Sequence, residues 1–169
     1  MARSGCFHFA GRAAALGRHV ILAGALVSGP GLALAQAPAC DQNQLAIKQI
    51  GCFLDAAESV GDPALCESAD DATVRFHCLS LYAERSGDSA VCARIRGEAE
   101  RTQALRGACI AGVAVARKAP EVCAEAPLPP LRDACYLMLV TQKNLDRTIC
   151  ERIDNADVRR ACAEAPAAR

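Results

Sequence analysis

Beyond residue 40 the apolar positions recur at helical spacing, and no segment alternates with period two. Cys78, Leu79, Leu81 and Tyr82 fall at the intervals that one helix face requires. The same face returns along the chain. One place after a cysteine stands Phe53, Leu79, Ile110 or Tyr136, and five places after it stands Ala57, Ala83, Ala114 or Val140. A second, shorter block carries Leu65, Val91, Val122 or Ile149 directly before another cysteine. The pattern predicts long and short helices in alternation. The small residue at the fifth place lets neighbouring long helices approach closely.

The residues between the blocks are punctuation. Gly61 and Gly87 suit the left-handed conformation that ends a helix. Asp62, Asp88 and Asp146 stand where a side-chain oxygen caps the next helix, with Pro63 in its first turn. Pro120 serves the same purpose where the aspartate is missing. Polar turns are expected at Asp70-Asp71, Pro129-Pro130 and Asp154-Asn155, between each short helix and its long partner.

Ten cysteines follow residue 35, at 40, 52, 66, 78, 92, 109, 123, 135, 150 and 162. Their gaps alternate, and the sum of two sets a repeat of about 26 residues. The fold class expected is all-α: about five tandem hairpins stacked as a short α-solenoid, one disulfide in each. The pairing is then Cys40–Cys52, Cys66–Cys78, Cys92–Cys109, Cys123–Cys135 and Cys150–Cys162. Pairing each long helix with the next short one instead would strand Cys40 and Cys162 at opposite ends of an open array. Helical rise also favours the first scheme, with height mismatches of roughly 4 Å against 6 Å. The third hairpin has five extra residues between its cysteines. Its charged stretch, Arg94 to Arg106, should extend it beyond its neighbours and form one edge of a groove. The fifth ends soon after Cys162 as a terminal cap.

A cysteine-locked helix pair in tandem resembles the secreted, disulfide-rich Sel1-like repeat proteins and, more distantly, tetratricopeptide arrays. The resemblance is one of architecture and covers Cys40 to Cys162. This repeat is about ten residues shorter and lacks the Sel1 glycine pattern, so no functional residue carries over. The resemblance implies a stacked superhelix whose concave face binds other proteins.

Composition adds a compartment. Arg3, Arg12 and Arg18 precede the apolar run Val20 to Val27, and no acidic residue occurs before Asp41. Ser28-Gly29-Pro30-Gly31 breaks the run, and Ala33-Leu34-Ala35 offers small residues to a signal peptidase. Residues 1–35 are expected to be a signal peptide cleaved after Ala35, followed by a linker at 36–39 and the repeat domain at 40–169. The run is too short to span a membrane, which needs about 20 apolar residues. The mature chain carries 16 basic and 19 acidic residues, a net charge of −3 that disfavours nucleic acid. The periplasm or the exterior is the expected location, since both permit disulfides. Only four aromatic residues remain in the mature chain, so its core is thin and cross-links are the usual remedy.

Candidate chemistry is sparse. No two cysteines lie closer than 12 residues, which argues against zinc pairs and thiol oxidoreductase motifs. His77 is the sole histidine after the signal, on a helix surface beside Cys78. Glu98 and Glu100 sit in a solvated charge run. No catalytic, metal or cofactor residue is expected. Arg75, Arg106, Arg132 and Arg159 recur three places before the second cysteine of a hairpin. They form either a basic stripe for an acidic partner or salt bridges within each hairpin, to Asp41, Glu67, Glu125 or Glu151. A repeat-wide pattern favours the framework role. The function expected is that of an exported binding or scaffold protein, without catalytic activity, whose partner is another protein. A carboxylate-based cell-wall or carbohydrate enzyme is the alternative, marked by a pocket with two close carboxylates. A thiol-based copper or zinc store is the third reading.

Overall fold

Each block between punctuating residues winds into a helix. A computed structural model describes residues 40–97 and 99–166, which belong to one compact unit. The expected signal segment 1–35, the linker 36–39 and Glu98 lie outside the described residues. The elements in order are α1 (Ala46–Val60), α2 (Ala64–Glu67), α3 (Ala72–Ser86), η1 (Ser89–Arg94) and α4 (Ala99–Arg117). Then come η2 (Pro120–Glu125), α5 (Pro129–Lys143), η3 (Arg147–Arg152) and α6 (Ala156–Glu164). The all-α expectation holds, with no strand among the described residues. None of the described helices is long and apolar enough to cross a membrane.

Three of the short helices, η1, η2 and η3, are 3₁₀ rather than α. Short 3₁₀ pieces, closed by i→i+3 bonds, commonly connect longer helices. The amides of Ile95, Ala126 and Ile153 accordingly donate to the carbonyls of Cys92, Cys123 and Cys150. In the first hairpin no short helix occurs among the described residues, and Cys40 leads through a turn directly into α1. Pro129 and Pro130 form the first turn of α5 instead of a polar turn. Their fixed φ and missing N–H groups suit that position.

The caps follow the sequence. Asp62, Asp88 and Asp146 accept from the amides of Ala64, Ala90 and Thr148 at 2.8, 3.0 and 2.9 Å. Gly61 and Gly87 end α1 and α3 at φ 70° and 72°. Lys118 (φ 54°) and Asn144 (φ 51°) hold the left-handed position after α4 and α5. Asparagine tolerates it, and lysine does so at a cost of roughly 1 kcal/mol.

The long helices stack in chain order, α1 on α3, α3 on α4, α4 on α5 and α5 on α6. Each short helix wedges between the two long helices that flank it in sequence. The seam between long helices holds Phe53, Leu79, Ile110 and Tyr136, with Ala57, Ala83 and Ala114 wholly buried one turn on. A further buried position lies three residues after the first cysteine: Ala69, Ile95, Ala126 and Ile153. The disulfides join Cys40 to Cys52, Cys66 to Cys78, Cys92 to Cys109, Cys123 to Cys135 and Cys150 to Cys162. Their Cα–Cα distances run from 5.4 to 5.9 Å, so each hairpin carries its own staple without backbone displacement.

Candidate functional site

Three of the four repeated arginines act on backbone. Arg75 donates from Nη1 to the carbonyls of Ala69 and Asp70, both at 2.7 Å. Arg106 Nε donates to Ile95 O at 3.0 Å, and Arg159 Nη1 to Ile153 O at 2.8 Å. Each guanidinium thus satisfies carbonyls exposed where the short helix ends, inside its own hairpin. The salt bridges expected to Asp41, Glu67, Glu125 and Glu151 are not the contacts made. Glu67 instead pairs with Arg94, 27 residues further on in the next hairpin. Arg132 pairs at 3.6 Å with Asp154 of the following hairpin. In the first hairpin Gln49 holds the equivalent place and donates to the carbonyls of Gln42 and Gln44 at 2.9 and 2.7 Å.

Successive hairpins are tied by polar contacts about one repeat apart. Arg85 pairs with Glu58 at 3.1 Å, and Arg117 donates to Gly87 O at 2.7 Å. Asp133, buried with 3% of its surface exposed, accepts from the amides of Asp154 and Asn155 at 2.9 and 3.0 Å.

The residue two places before the second cysteine of a hairpin looks toward the next hairpin. Asp133 holds the turn of the fifth hairpin, and Gly107 lets Leu131 of the fourth approach so closely that an added Cβ would lie 2.5 Å from its Cδ1. At the equivalent place, Phe76 meets a void. The five extra residues carry the third hairpin's turn away, and α4 runs to 19 residues where α1, α3 and α5 have 15. Four residues add about 6 Å of helix. The result is a cavity of about 610 Å³ between α3 and the η1–α4 connection.

The cavity is amphipathic. Phe76, Leu79, Ile95 and Leu105 supply apolar wall. Arg75, Arg94, Arg96 and Arg101 also line it, against one described carboxylate, Glu67. Arg75 and Arg94 are engaged as above, whereas Arg96 and Arg101 are exposed and have no hydrogen-bond or ion-pair partner among the described residues. Thr102 is 7% exposed, and its hydroxyl is without a partner there. Gly97 packs close to that hydroxyl, and a Cβ on it would sit 3.2 Å from Thr102 Oγ1. His77 is exposed at the same cavity, its ring 4.9 Å from that of Phe76.

The sequence pattern located the insertion but not Phe76 or Thr102. The first was hidden because its position is filled by different residue types in each hairpin. The second carried no motif at all. All ten cysteines from Cys40 onward are disulfide-bonded, and the described residues contain no group of three metal-ligating side chains. Two carboxylates are held below their ordinary values: Asp71 by the amides of Val74 and Thr73, and Asp146 by the amide of Thr148. Both are helix caps, remote in role from chemistry.

These features define a class: a disulfide-stapled array of helical hairpins suited to an oxidising compartment. No family model, curated protein or solved structure matches the chain.

Proposed function

We propose that the protein is exported to the periplasm or beyond, by a signal peptide cleaved after Ala35, and acts there as a non-catalytic binding protein. Its partner, another protein, engages the cavity between the second and third hairpins. The observation that supports this reading is the cavity itself, an apolar recess with a basic rim at the one place where the repeat is interrupted. Elsewhere the equivalent position is closed by packing at Gly107 or by hydrogen bonds at Asp133. Pockets of about 300–1,000 Å³ are the size that seats ligands or anchoring side chains. An apolar wall beside guanidinium groups that have no partner among the described residues fits recognition better than bond cleavage, because Glu67 has no second described carboxylate beside it and is tied to Arg94.

The test is site-specific photocrosslinking in the native host. A photoreactive residue at Leu105 should trap a partner, and one at Lys143 on α5 should not. A chain lacking residues 97–101, which restores the 12-residue cysteine spacing, should remain folded and lose the Leu105-dependent adduct. Equal trapping at both positions, or an adduct unaffected by the deletion, would contradict the reading. Intact mass gives the export step independently: the mature N-terminus should be Gln36.

A further inference from the structure

We infer that the cavity recognises a carboxylate on an apolar stem, the chemistry offered by the carboxyl-terminal residue of a polypeptide and equally by a free medium-chain organic acid. This rests on the reading of the cavity as a binding site and narrows what it binds.

Three observations converge. The first is the buried hydroxyl of Thr102, which lines the cavity with no partner among the described residues. A buried hydroxyl left unpaired costs roughly 1–3 kcal/mol, so a ligand oxygen that accepts from it repairs a standing deficit. The second is charge. Arg96 and Arg101 both precede Thr102 in sequence and line the same cavity, with no described partner of their own. Arg101 and Thr102 also belong to the opening of the 19-residue α4, where the helix dipole favours a negative group. Glu100 of the same turn is not among the lining residues. The third is the apolar wall, where half-buried Phe76 and Leu105, backed by buried Leu79 and Ile95, would be left uncovered by a purely polar anion.

Two guanidinium groups and one hydroxyl match the two oxygens of a monoanion, which accept a forked donor and a single one together. A phosphate dianion asks for more donors than this, since Arg75 is committed to the carbonyls of Ala69 and Asp70 and Arg94 to Glu67. The apolar wall then receives the stem.

The experiment is titration calorimetry on the oxidised, exported protein with four probes: decanoate, decyl phosphate, and N-acetyl-Leu-Phe with either a free or an amidated carboxyl terminus. Decanoate or the free-acid peptide should bind, and amidation should weaken the peptide at least about tenfold, the loss of roughly one charge-assisted hydrogen bond. Preference for decanoate identifies a free acid as the source, and preference for the peptide identifies a chain terminus. Arg101→Gln should reduce affinity about tenfold. Thr102→Val should weaken binding several-fold while leaving thermal stability unchanged or higher, because no protein hydrogen bond is lost. A merely structural threonine would show the reverse. Tighter binding of decyl phosphate, equal binding of acid and amide, or no binding by any probe would overturn the inference. The Leu105 crosslink separates the two levels: if it persists while the probes fail, the site stands and its ligand class is wrong.

Discussion

Asp133 offers the sharpest test of how the hairpins are joined. Its carboxylate is 3% exposed and accepts from Asp154 N and Asn155 N at 2.9 and 3.0 Å, so it bolts α5 to the turn that opens α6. Hydrogen bonds to a charged acceptor contribute about 1.5–3 kcal/mol each. Asp133→Ala removes both but also relieves the burial of a charge. It exposes two amides of surface residues to water, so the net loss should be about 2 kcal/mol. Because each repeat contacts only its neighbours, that loss should fall on the last joint. Amide hydrogen exchange reads it directly. An opening made about 2 kcal/mol easier speeds exchange roughly thirtyfold, and η3 and α6 should show this while α1 and α3 keep their wild-type protection. Asp133→Asn keeps one acceptor and turns an amide NH₂ toward the other donor, so it should give a smaller change in the same place. Uniform acceleration throughout the chain, or none at η3 and α6, would refute the repeat-by-repeat account of stability.

Two glycines on α4 should respond in opposite ways to alanine. Gly107→Ala drives a Cβ to within 2.5 Å of Leu131 Cδ1 and 3.0 Å of Leu131 Cβ, so thermal melting should show a net loss of about 1–2 kcal/mol. At Gly112 the new Cβ meets only the movable end of Glu84, so Gly112→Ala should be neutral or stabilising by up to about 1 kcal/mol through helix propensity. Asp71 and Asp146 titrate below their ordinary values because backbone amides bind their charged forms. Their contribution is full above the ordinary carboxyl pKa of about 3.9 and fades as pH falls through the lowered folded value. Replacing both with serine, which caps without charge, should flatten acid denaturation below about pH 4 in a circular-dichroism titration. Removing one staple, by Cys123→Ala with Cys135→Ala, should cost up to about 3 kcal/mol for a loop of this size. Full reduction should unfold the protein in urea-free buffer, since five such losses match the whole stability of a typical domain at roughly 15 kcal/mol.

The framework was legible in the sequence wherever a physical requirement narrows the residue type. A left-handed helix end selected Gly61 and Gly87, a cap selected Asp62, Asp88 and Asp146, and the staples selected cysteine. Where a requirement admits several residue types, the pattern dissolved. Gln49 does the work of Arg75 because any side chain with paired N–H donors can reach two carbonyls. Lys118 and Asn144 fill the place of glycine after α4 and α5. The acid partners expected for the arginines failed for a related reason, since the nearest unsatisfied acceptors were carbonyls that no sequence displays. The cavity was half legible. The insertion announced that the third hairpin departs from its neighbours, but not that the space beside Phe76 would stay open, with the Thr102 hydroxyl at its edge.

Everything from the stacking order to the cavity depends on each hairpin being closed by its own disulfide. Peptide mapping of the exported protein, digested without reductant and after blocking free thiols, tests that dependence most directly. Five linked pairs should appear: Cys40 with Cys52, Cys66 with Cys78, Cys92 with Cys109, Cys123 with Cys135, and Cys150 with Cys162. A linked pair of Cys52 and Cys66 peptides, or free thiol at any of the ten positions, would contradict the account.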